Sequence, residues 1–477
     1  MTLADLLERV EHTVLSGPLD RTVTALTQDS RKGGPGVVFV ALKGQQVDGH
    51  DYASSVRAEA VIVDHPIPVL DGVSCIQVAD TRIALAQLAA ALHGHPSKEL
   101  SLVGITGTNG KTTITWMLES IAQAAAQPIG VIGTTGNRID GKAIPAGFTT
   151  PLAPEWQGLL AQMHQAGCAW VAAEVSSIGL AAHRVDQTRF SVGVYTNLSQ
   201  DHLDFHGSMS AYQDAKARLF AELLDPQGIA VLCGEDSVAS QVPFSGERWL
   251  YGTEVGDLRC RDLRMDHLGS RAVVHTPKGS FPLSLKLVGR FNVLNALGAA
   301  GAALALGATP AQVGAGLAQL DCVPGRLEAV PNGLGFGVLV DYAHTPDALD
   351  SVLAALRELQ PKRLICVVGC GGDRDRSKRP LMAQAAARGS DWVIATSDNP
   401  RSEDPMAILD QMRPGLRDSD SVQVDRAVAI GQAIASAEPG DLVLIAGKGH
   451  ETTQEIAGKK LPFDDRAVAK AALESRA

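Results

Sequence analysis

The stretch Val103-Gly104-Ile105-Thr106-Gly107-Thr108-Asn109-Gly110-Lys111-Thr112-Thr113 runs an apolar strand into a glycine-rich turn that ends in Gly-Lys-Thr before a helix-forming segment. That order of residues suits phosphate. Glycines let backbone N–H groups converge on anionic oxygens and the next helix presents the positive end of its dipole. Lys111 brings a compact cation, and a threonine hydroxyl can ligate Mg2+. A nucleoside triphosphate is the expected ligand. The strict phosphate loop has a glycine where Ile105 stands; here the glycines fall at 104, 107 and 110, so the loop is a variant.

Outward from this turn, short apolar runs alternate with helical segments: Leu102–Ile105, the helix after Lys111, Trp170–Val175, Val192–Tyr195, a helix over Ala211–Leu224, and Ile229–Leu232. Such alternation reads as an α/β fold with a mostly parallel, doubly wound sheet. The polar, helix-ending segment His93-Gly94-His95-Pro96-Ser97-Lys98 closes an earlier module. Around Cys322-Val323-Pro324-Gly325-Arg326 a later one opens, with apolar runs at Val338–Val340, Leu364–Val368, Trp392–Ala395 and Leu442–Ile445. Three α/β domains are expected, at 1–98, 99–325 and 326–477, since 477 residues exceed the roughly 250 that one core serves. In open α/β sheets ligands gather beyond the carboxyl ends of strands. The loops Asp341–His344, Gly369–Arg379, Ser397–Arg401 and Gly447–Glu451 are therefore expected to converge.

The charge of 42 − 52 = −10 argues against nucleic acid as the main partner. Seven cysteines, at 75, 168, 233, 260, 322, 366 and 370, show no CxxC pairing, so neither a disulfide framework nor a zinc site is suggested and a reducing cytoplasm fits. Met1 to Val10 carries acidic residues and no basic segment leading into an apolar one. The longest apolar run, Ala296–Ala308, has 13 residues against the ~20 of a membrane span. A soluble, cytoplasmic protein without a membrane partner is expected.

Glu174 ends an apolar strand in Ala172-Ala173-Glu174-Val175-Ser176-Ser177, where its carboxylate would face the phosphates and a hard cation such as Mg2+. Alone, a strand-end glutamate reads more often as a cap or a surface residue; beside the phosphate loop the metal reading draws level. The loop Asn197–His206 concentrates polar and imidazole groups, yet His202 and His206 do not by themselves make a metal motif. Lys216 sits in what reads as an ordinary amphipathic helix, and spacing alone gives it no role.

Gly104–Thr113, Glu174-Val175-Ser176-Ser177, Asn197–His206 and Gly289–Ala296 together resemble the Mur ligases, ATP-dependent enzymes that form amide bonds. Asp29-Ser30-Arg31, Thr149-Thr150-Pro151, Pro324–Glu328, Asp341–Pro346 and Gly447–Glu451 extend the resemblance, in order, over all three domains. It implies an N-terminal uridine-nucleotide-binding domain, a central P-loop ATPase-like sheet and a C-terminal Rossmann-like domain that binds an amino acid. The implied reaction joins meso-diaminopimelate to UDP-N-acetylmuramoyl-L-alanyl-D-glutamate, at the expense of ATP, in peptidoglycan precursor synthesis. A monomer is expected.

By resemblance, Gly107, Thr108, Asn109, Gly110, Lys111, Thr112 and Thr113 cradle the ATP phosphates. Asn292 and Asn295 lie on the adenine side, and Arg326 and Asp341 reach ATP from the linker and third domain. Thr112, Glu174, His202 and a carbamylated Lys216 hold Mg2+, in two ions; Lys111, Lys216 and Arg326 are the catalytic set. Ser30, with Arg31 beside it, serves the uridine platform; Thr149, Thr150, Ser176 and Arg184 serve the muramoyl peptide. The loop Asp398-Asn399-Pro400-Arg401 resembles the form that accepts diaminopimelate. There Arg401 would pair bidentately with the distal carboxylate, Gly447 and Glu451 would address the distal amine, and Arg379 would stand near the reacting end.

The chain departs from the family pattern in three places. Gln45-Gln46-Val47 replaces a common His-Gln-Ala, Ile178 follows Ser177 where histidine is usual, and Ala182 stands where glutamine is frequent. Folylpolyglutamate synthetase shares the glycine loop and the lysine but lacks this first domain and the Asp-Asn-Pro-Arg loop. A lysine-adding relative is the nearest enzymatic rival. A nucleotide switch without ligase chemistry would explain the glycine loop but not Lys216, Arg326 and Arg401 together.

Overall fold

The computed structural model describes residues 1–44, 47–145, 147–266 and 269–476. Two compact units emerge. The first holds Met1–Arg259, Thr276–Gly279 and Ala296–Gly316; the second holds Cys260–His275, Ser280–Asn295 and Leu317–Ala477.

The first unit carries two sheets. Strands β1 (Thr13–Ser16), β2 (Ala25–Thr27), β3 (Val37–Val40), β4 (Ala60–Val63) and β5 (Ser74–Gln77) lie in the order β1-β5-β4-β3-β2. All neighbours are parallel except β1 against β5. Every residue of β4 is buried, as expected of a parallel strand covered on both faces. The helix Thr81–Leu92 starts at an Asp80 cap whose side chain accepts from the N–H groups of Arg82 and Ile83, and it sends Leu85 and Leu88 into the core. The departure at Gln45 and Gln46 lies outside the described residues, and Val47 beside them is exposed.

In the second sheet β6 (Ser101–Thr106) is central. Around it lie β7 (Ile129–Ile132), β8 (Asn137–Ile139), β9 (Lys142–Ile144), β10 (Trp170–Glu174), β11 (Phe190–Tyr195), β12 (Leu224–Cys233) and β13 (Glu247–Gly252), in the order β13-β12-β11-β6-β10-β7-β8-β9. The run from β13 to β7 is parallel; β8 and β9 turn back antiparallel. Because β10 and β11 flank β6 on opposite sides, with Glu174 beside Ile105 and Tyr195 beside Thr106, the loops after all three strands leave one edge together. That edge is where an open α/β sheet receives its ligand.

The helix expected over Ala211–Leu224 is shorter. It spans Met209–Arg218, passes into a single π turn at Leu219–Leu223, and β12 begins at Leu224. The wider turn lets Leu219, Phe220 and Leu223 all reach the core. Such π turns recur beside functional sites.

Most of strands β14 (Leu258–Asp266), β15 (Gly269–Thr276) and β16 (Gly279–Leu285) belong to the second unit. Its own sheet comprises β17 (Glu328–Ala329), β18 (Gly337–Asp341), β19 (Leu364–Cys370), β20 (Trp392–Ser397), β21 (Ser421–Gln423) and β22 (Leu442–Ala446), ordered β17-β18-β22-β19-β20-β21. It is parallel from β18 to β21. Leu364, Cys366 and Val368 face one core and Ile365 and Val367 the other, so β19 has helices over both faces. A hairpin of β23 (Thr453–Ile456) and β24 (Lys459–Pro462) follows. Among the described residues no helix is long and apolar enough to cross a membrane.

Candidate active site

At the end of β6 the chain needs glycine. Gly107 has φ +142°, and a Cβ there would come 1.8 Å from Thr196 Oγ1; Gly110 has φ +90° and caps the helix Lys111–Ala124. The turn is clamped from β11. Thr108 N–H donates to Asn197 O at 2.8 Å, Asn109 N–H to Asn197 Oδ1 at 3.0 Å, and Thr196 Oγ1–H to Asn109 O at 2.6 Å. Lys111 Nζ donates to Gly107 O and Thr108 O, each at 2.8 Å, which keeps the ammonium over the loop.

Glu174, at the end of β10, is 1% exposed. Its Oε2 accepts from Thr112 Oγ1 and Thr134 Oγ1, both at 3.0 Å, and its Oε1 from Thr134 N–H at 2.8 Å. These donors pin a carboxylate beside the hydroxyl at the helix start. Thr112 and Glu174 offer oxygen, which fits a hard ion such as Mg2+. Thr113 is buried beside Thr112.

A second network adjoins it. Thr150 Oγ1–H donates to Glu174 O at 2.9 Å, and its oxygen accepts from Ser176 N–H at 3.0 Å. Ser176 Oγ caps the helix Ser177–Ala181 through Gly179 N–H. Arg184 Nη1 donates to Thr150 O, and its guanidinium stacks 5.0 Å from the Phe148 ring. Burial pushes the Arg184 pKa down. Thr149 Oγ1 and Thr134 Oγ1 share a hydrogen bond of 3.0 Å. The muramoyl-side residues expected from sequence thus meet each other and the Glu174 strand end. Ile178 and Ala182, the two departures, lie in and just after the Ser176-capped helix.

Tyr212 is the hub of the third group. Its hydroxyl lies 3.1 Å from Thr108 Oγ1, its ring 5.2 Å from that of His206 and 6.3 Å from that of His202. Lys216 Nζ lies 4.2 Å from the ring centroid. Lys216 is only 3% exposed, and burial, with Lys111 adding repulsion and Asp201 opposing it, drives its pKa well below the ordinary lysine value. A buried, neutral amine is the form that adds CO2. His206 Nε2 is 3.0 Å from Ser177 Oγ, and burial holds its pKa down. His202 takes a left-handed φ of +51° at the start of a one-turn helix.

In the second unit Asp341 ends β18. Its Oδ2 accepts from Leu327 N–H and its Oδ1 from Ala343 N–H, each at 2.7 Å. Burial pushes its carboxyl up against the opposing pull of Arg326. Arg326 lies 5.7 Å from the Tyr342 ring. Asn292 Nδ2 donates to Val288 O, and Asn295 Nδ2 to Asn292 Oδ1 at 3.2 Å; both asparagines are buried.

The loop after β20 meets the loop after β22. Lys448, fully buried, donates to Asn399 Oδ1 and Glu451 Oε2, each at 3.0 Å, and stands 3.6 Å from Asp398 Oδ1. Asn399 Nδ2 donates to Glu451 Oε2 at 2.8 Å. Burial raises the Glu451 carboxyl, but Asn399 and Lys448 outweigh it and hold the pKa below the usual value. Gly447 has φ +116°, and a Cβ there would lie 2.8 Å from Asp398 Oδ2. Pro400 packs its carbonyl against Gly372, where a Cβ would lie 1.9 Å from it. Arg401, at φ +51°, donates from Nη1 to Gly372 O at 2.7 Å and keeps Nε 3.9 Å from Glu455.

Arg379 is 0% exposed. Nη1 and Nη2 donate to Glu403 Oε2 and Oε1 at 3.0 and 2.8 Å, with Gln411 Oε1 also on Nη1. Its guanidinium forms the wall behind Gly371 and holds the Glu403 pKa at about 2. In the first sheet's domain, Ser30 begins a 3-10 turn that Asp29 caps, with Arg31 folded onto Asp29 through Nε at 2.8 Å.

Sequence reasoning missed Thr134, Tyr212 and Lys448. Thr134 was readable as a polar residue just after an apolar strand adjacent to β10. Nothing local marked Tyr212 or the buried Lys448.

Three family models match: "Mur ligase family, catalytic domain" over residues 22–93, "Mur ligase middle domain" over 105–303, and "Mur ligase, glutamate ligase domain" over 325–449. A UDP-N-acetylmuramoyl-L-alanyl-D-glutamate--2,6-diaminopimelate ligase of Geobacillus thermodenitrificans is 44% identical over 468 residues, 95% of each chain. A protein of the same description from Syntrophomonas wolfei is 41% identical over 481 residues, 98% of each chain. A solved structure bearing that description superposes with a TM-score of 0.73 at 33% identity, covering 100% of this chain and 99% of the other.

Proposed function

Since the chain belongs to the Mur ligase family, we propose that it is the ATP-dependent ligase that adds meso-diaminopimelate to UDP-N-acetylmuramoyl-L-alanyl-D-glutamate. The observation that carries the substrate is the full-length likeness to relatives of that description, together with the Asp398–Arg401 loop. A twin-headed amino acid presents an ammonium and a carboxylate at its far end. The Glu451 carboxylate, held ionised, suits the first, and the Arg401 guanidinium, braced by Gly372 O, suits the second. Lysine lacks the distal carboxylate and would leave Arg401 unanswered.

A carboxylate is a poor electrophile, so amide formation needs activation. The D-glutamate γ-carboxylate attacks the γ-phosphorus of ATP and displaces ADP; the amine then attacks the acyl carbon, loses a proton, and inorganic phosphate leaves. The chain supplies alignment and charge neutralisation rather than a nucleophile. Lys111 exchanges its two carbonyl partners for phosphate oxygens. Thr112, Glu174 and His202 would hold Mg2+, which when bound neutralises the clustered phosphoryl charge. Lys216, whose burial favours the uncharged amine, takes up CO2 with loss of one proton, turning a neutral side chain into an anion beside that site. Asn292, Asn295, Arg326 and Asp341 serve ATP. Thr149, Thr150, Ser176 and Arg184 serve the muramoyl peptide, and Ser30 its uridine end. Arg379, held by Glu403, positions the Gly371 wall through its own hydrogen bond to Gly371 O.

Phosphate release measured with diaminopimelate and lysine side by side tests the reading. Turnover is expected only when the UDP-dipeptide and diaminopimelate are both present. ATP turnover indifferent to either substrate would instead mark a nucleotide switch, and equal use of lysine would remove the role given to Arg401.

A further inference from the structure

Outside these networks, His50, Asp64 and His65 bring three metal-ligating atoms within 4.8 Å of one another. They sit at the carboxyl edge of the first sheet: Asp64 and His65 directly follow β4, and His50 opens the short helix His50–Ala53 beyond β3. The donors are two imidazoles and one carboxylate, not an acidic cluster.

The His50 side chain is 5% exposed and its orientation is fixed from behind. Asp48 Oδ1 lies 2.6 Å from Nδ1 and also accepts the His50 backbone N–H at 3.0 Å. A carboxylate on Nδ1 keeps the proton there, so Nε2 presents its lone pair. That nitrogen points 3.2 Å from Asp64 Oδ1, with only a long 3.4 Å approach from Asp64 N–H for company. Nε2 and Asp64 Oδ1 thus face each other at a distance that a shared proton or a bridging cation can occupy. Carboxylate–histidine–metal relays have this arrangement. The 3.2 Å spacing is close to the ~3.3 Å between ligand atoms that bonds of about 2.0–2.2 Å give in a tetrahedral site. The His65 ring stacks on His50 with centroids 4.8 Å apart, and its Nδ1 is 2.5 Å from the same Oδ1. His65 is exposed, so its ring is free to draw back by the fraction of an ångström that a shared ion requires.

We propose that His50 Nε2, Asp64 Oδ1 and His65 Nδ1 bind one divalent transition-metal ion of the Zn2+ class, with the fourth position open to solvent and Asp48 as a positioning residue. Two nitrogen donors of three favour such an ion over Mg2+ or Ca2+. The bound ion would tie the segment carrying Asp48 to the end of β4.

The test uses the full chain, stripped with a chelator and titrated with Co2+ in excess Mg2+, which keeps oxygen-donor sites filled. The expected result is one equivalent of Co2+ per chain, with ligand-field absorption of a low-symmetry nitrogen-containing site that Zn2+ displaces. Asp64→Ala and His65→Ala, both at partly exposed positions, should each weaken binding by tenfold or more. Asp48→Asn should weaken it by about tenfold. Wild-type protein that binds no more Co2+ than the Asp64→Ala/His65→Ala double variant overturns the proposal, as does the same absorption persisting in that variant. Circular dichroism and thermal melting establish that each variant is folded.

Discussion

Lys216 Nζ stands 4.2 Å from the centroid of the Tyr212 ring, and the Tyr212 hydroxyl stands 3.1 Å from Thr108 in the phosphate turn. One aromatic side chain therefore links the buried amine to the nucleotide loop. Burial of Lys216, with repulsion from Lys111, is what disfavours the ammonium form.

Lys216→Ala is expected to lower kcat by about a hundredfold or more, the scale of losing one charged group aimed at developing charge. Formate or acetate at high concentration should restore part of it by supplying the missing anion. Steady-state rates with and without added carboxylate decide this; a variant that no carboxylate rescues contradicts the carbamate.

Glu174→Gln keeps an oxygen to accept from Thr134 N–H or Thr112 Oγ1–H but removes the charge. The Mg2+ concentration at half-maximal rate should rise by about tenfold or more, the ~1.5–3 kcal/mol scale of a charged contact. Titration of rate against Mg2+ measures it. An unchanged Mg2+ dependence with a lowered kcat would place Glu174 outside the metal shell.

Removing the Arg401 guanidinium should raise KM for diaminopimelate by roughly 10- to 100-fold, the range for losing a charge-assisted hydrogen bond, and spare KM for ATP. Arg401→Lys should not restore it, because a point charge cannot pair bidentately. Equal increases in both constants would deny Arg401 its specific role.

The Glu403 pKa falls from an ordinary 4.5 to about 2, chiefly through its hydrogen bond with Arg379. The folded value is depressed, so the stabilisation is full above about 4.5 and is lost as pH falls through about 2. Glu403→Gln should unfold at lower denaturant than wild type at neutral pH, and the difference should shrink toward pH 2. Denaturant midpoints across that range measure it; a gap independent of pH would separate the Glu403 contribution from its charge.

The phosphate turn was legible because glycine conformation and the Gly-Lys-Thr order are local properties, and β6, β10 and β11 announced themselves as apolar runs ending in polar loops. Lys216 was different. Spacing put it on an exposed helix face; Tyr212 is its neighbour one turn back on the same helix, but the burial of Lys216 and the reach of Tyr212 to Thr108, 104 residues away, depend on packing between distant segments. Only the family resemblance singled it out. Arg379 reads in sequence like any loop cation, yet it is sealed by Glu403 and Gln411, residues 24 and 32 positions away. Thr134 escaped for the same reason, its partner Glu174 lying 40 residues on.

The central claim is that ATP activates the D-glutamate γ-carboxylate before the amide forms. The direct measurement uses UDP-N-acetylmuramoyl-L-alanyl-D-glutamate labelled with 18O in both γ-carboxylate oxygens, with mass analysis of the inorganic phosphate released during ligation to diaminopimelate. One labelled oxygen per phosphate is the predicted result. Unlabelled phosphate accompanying stoichiometric ligation product would contradict the account.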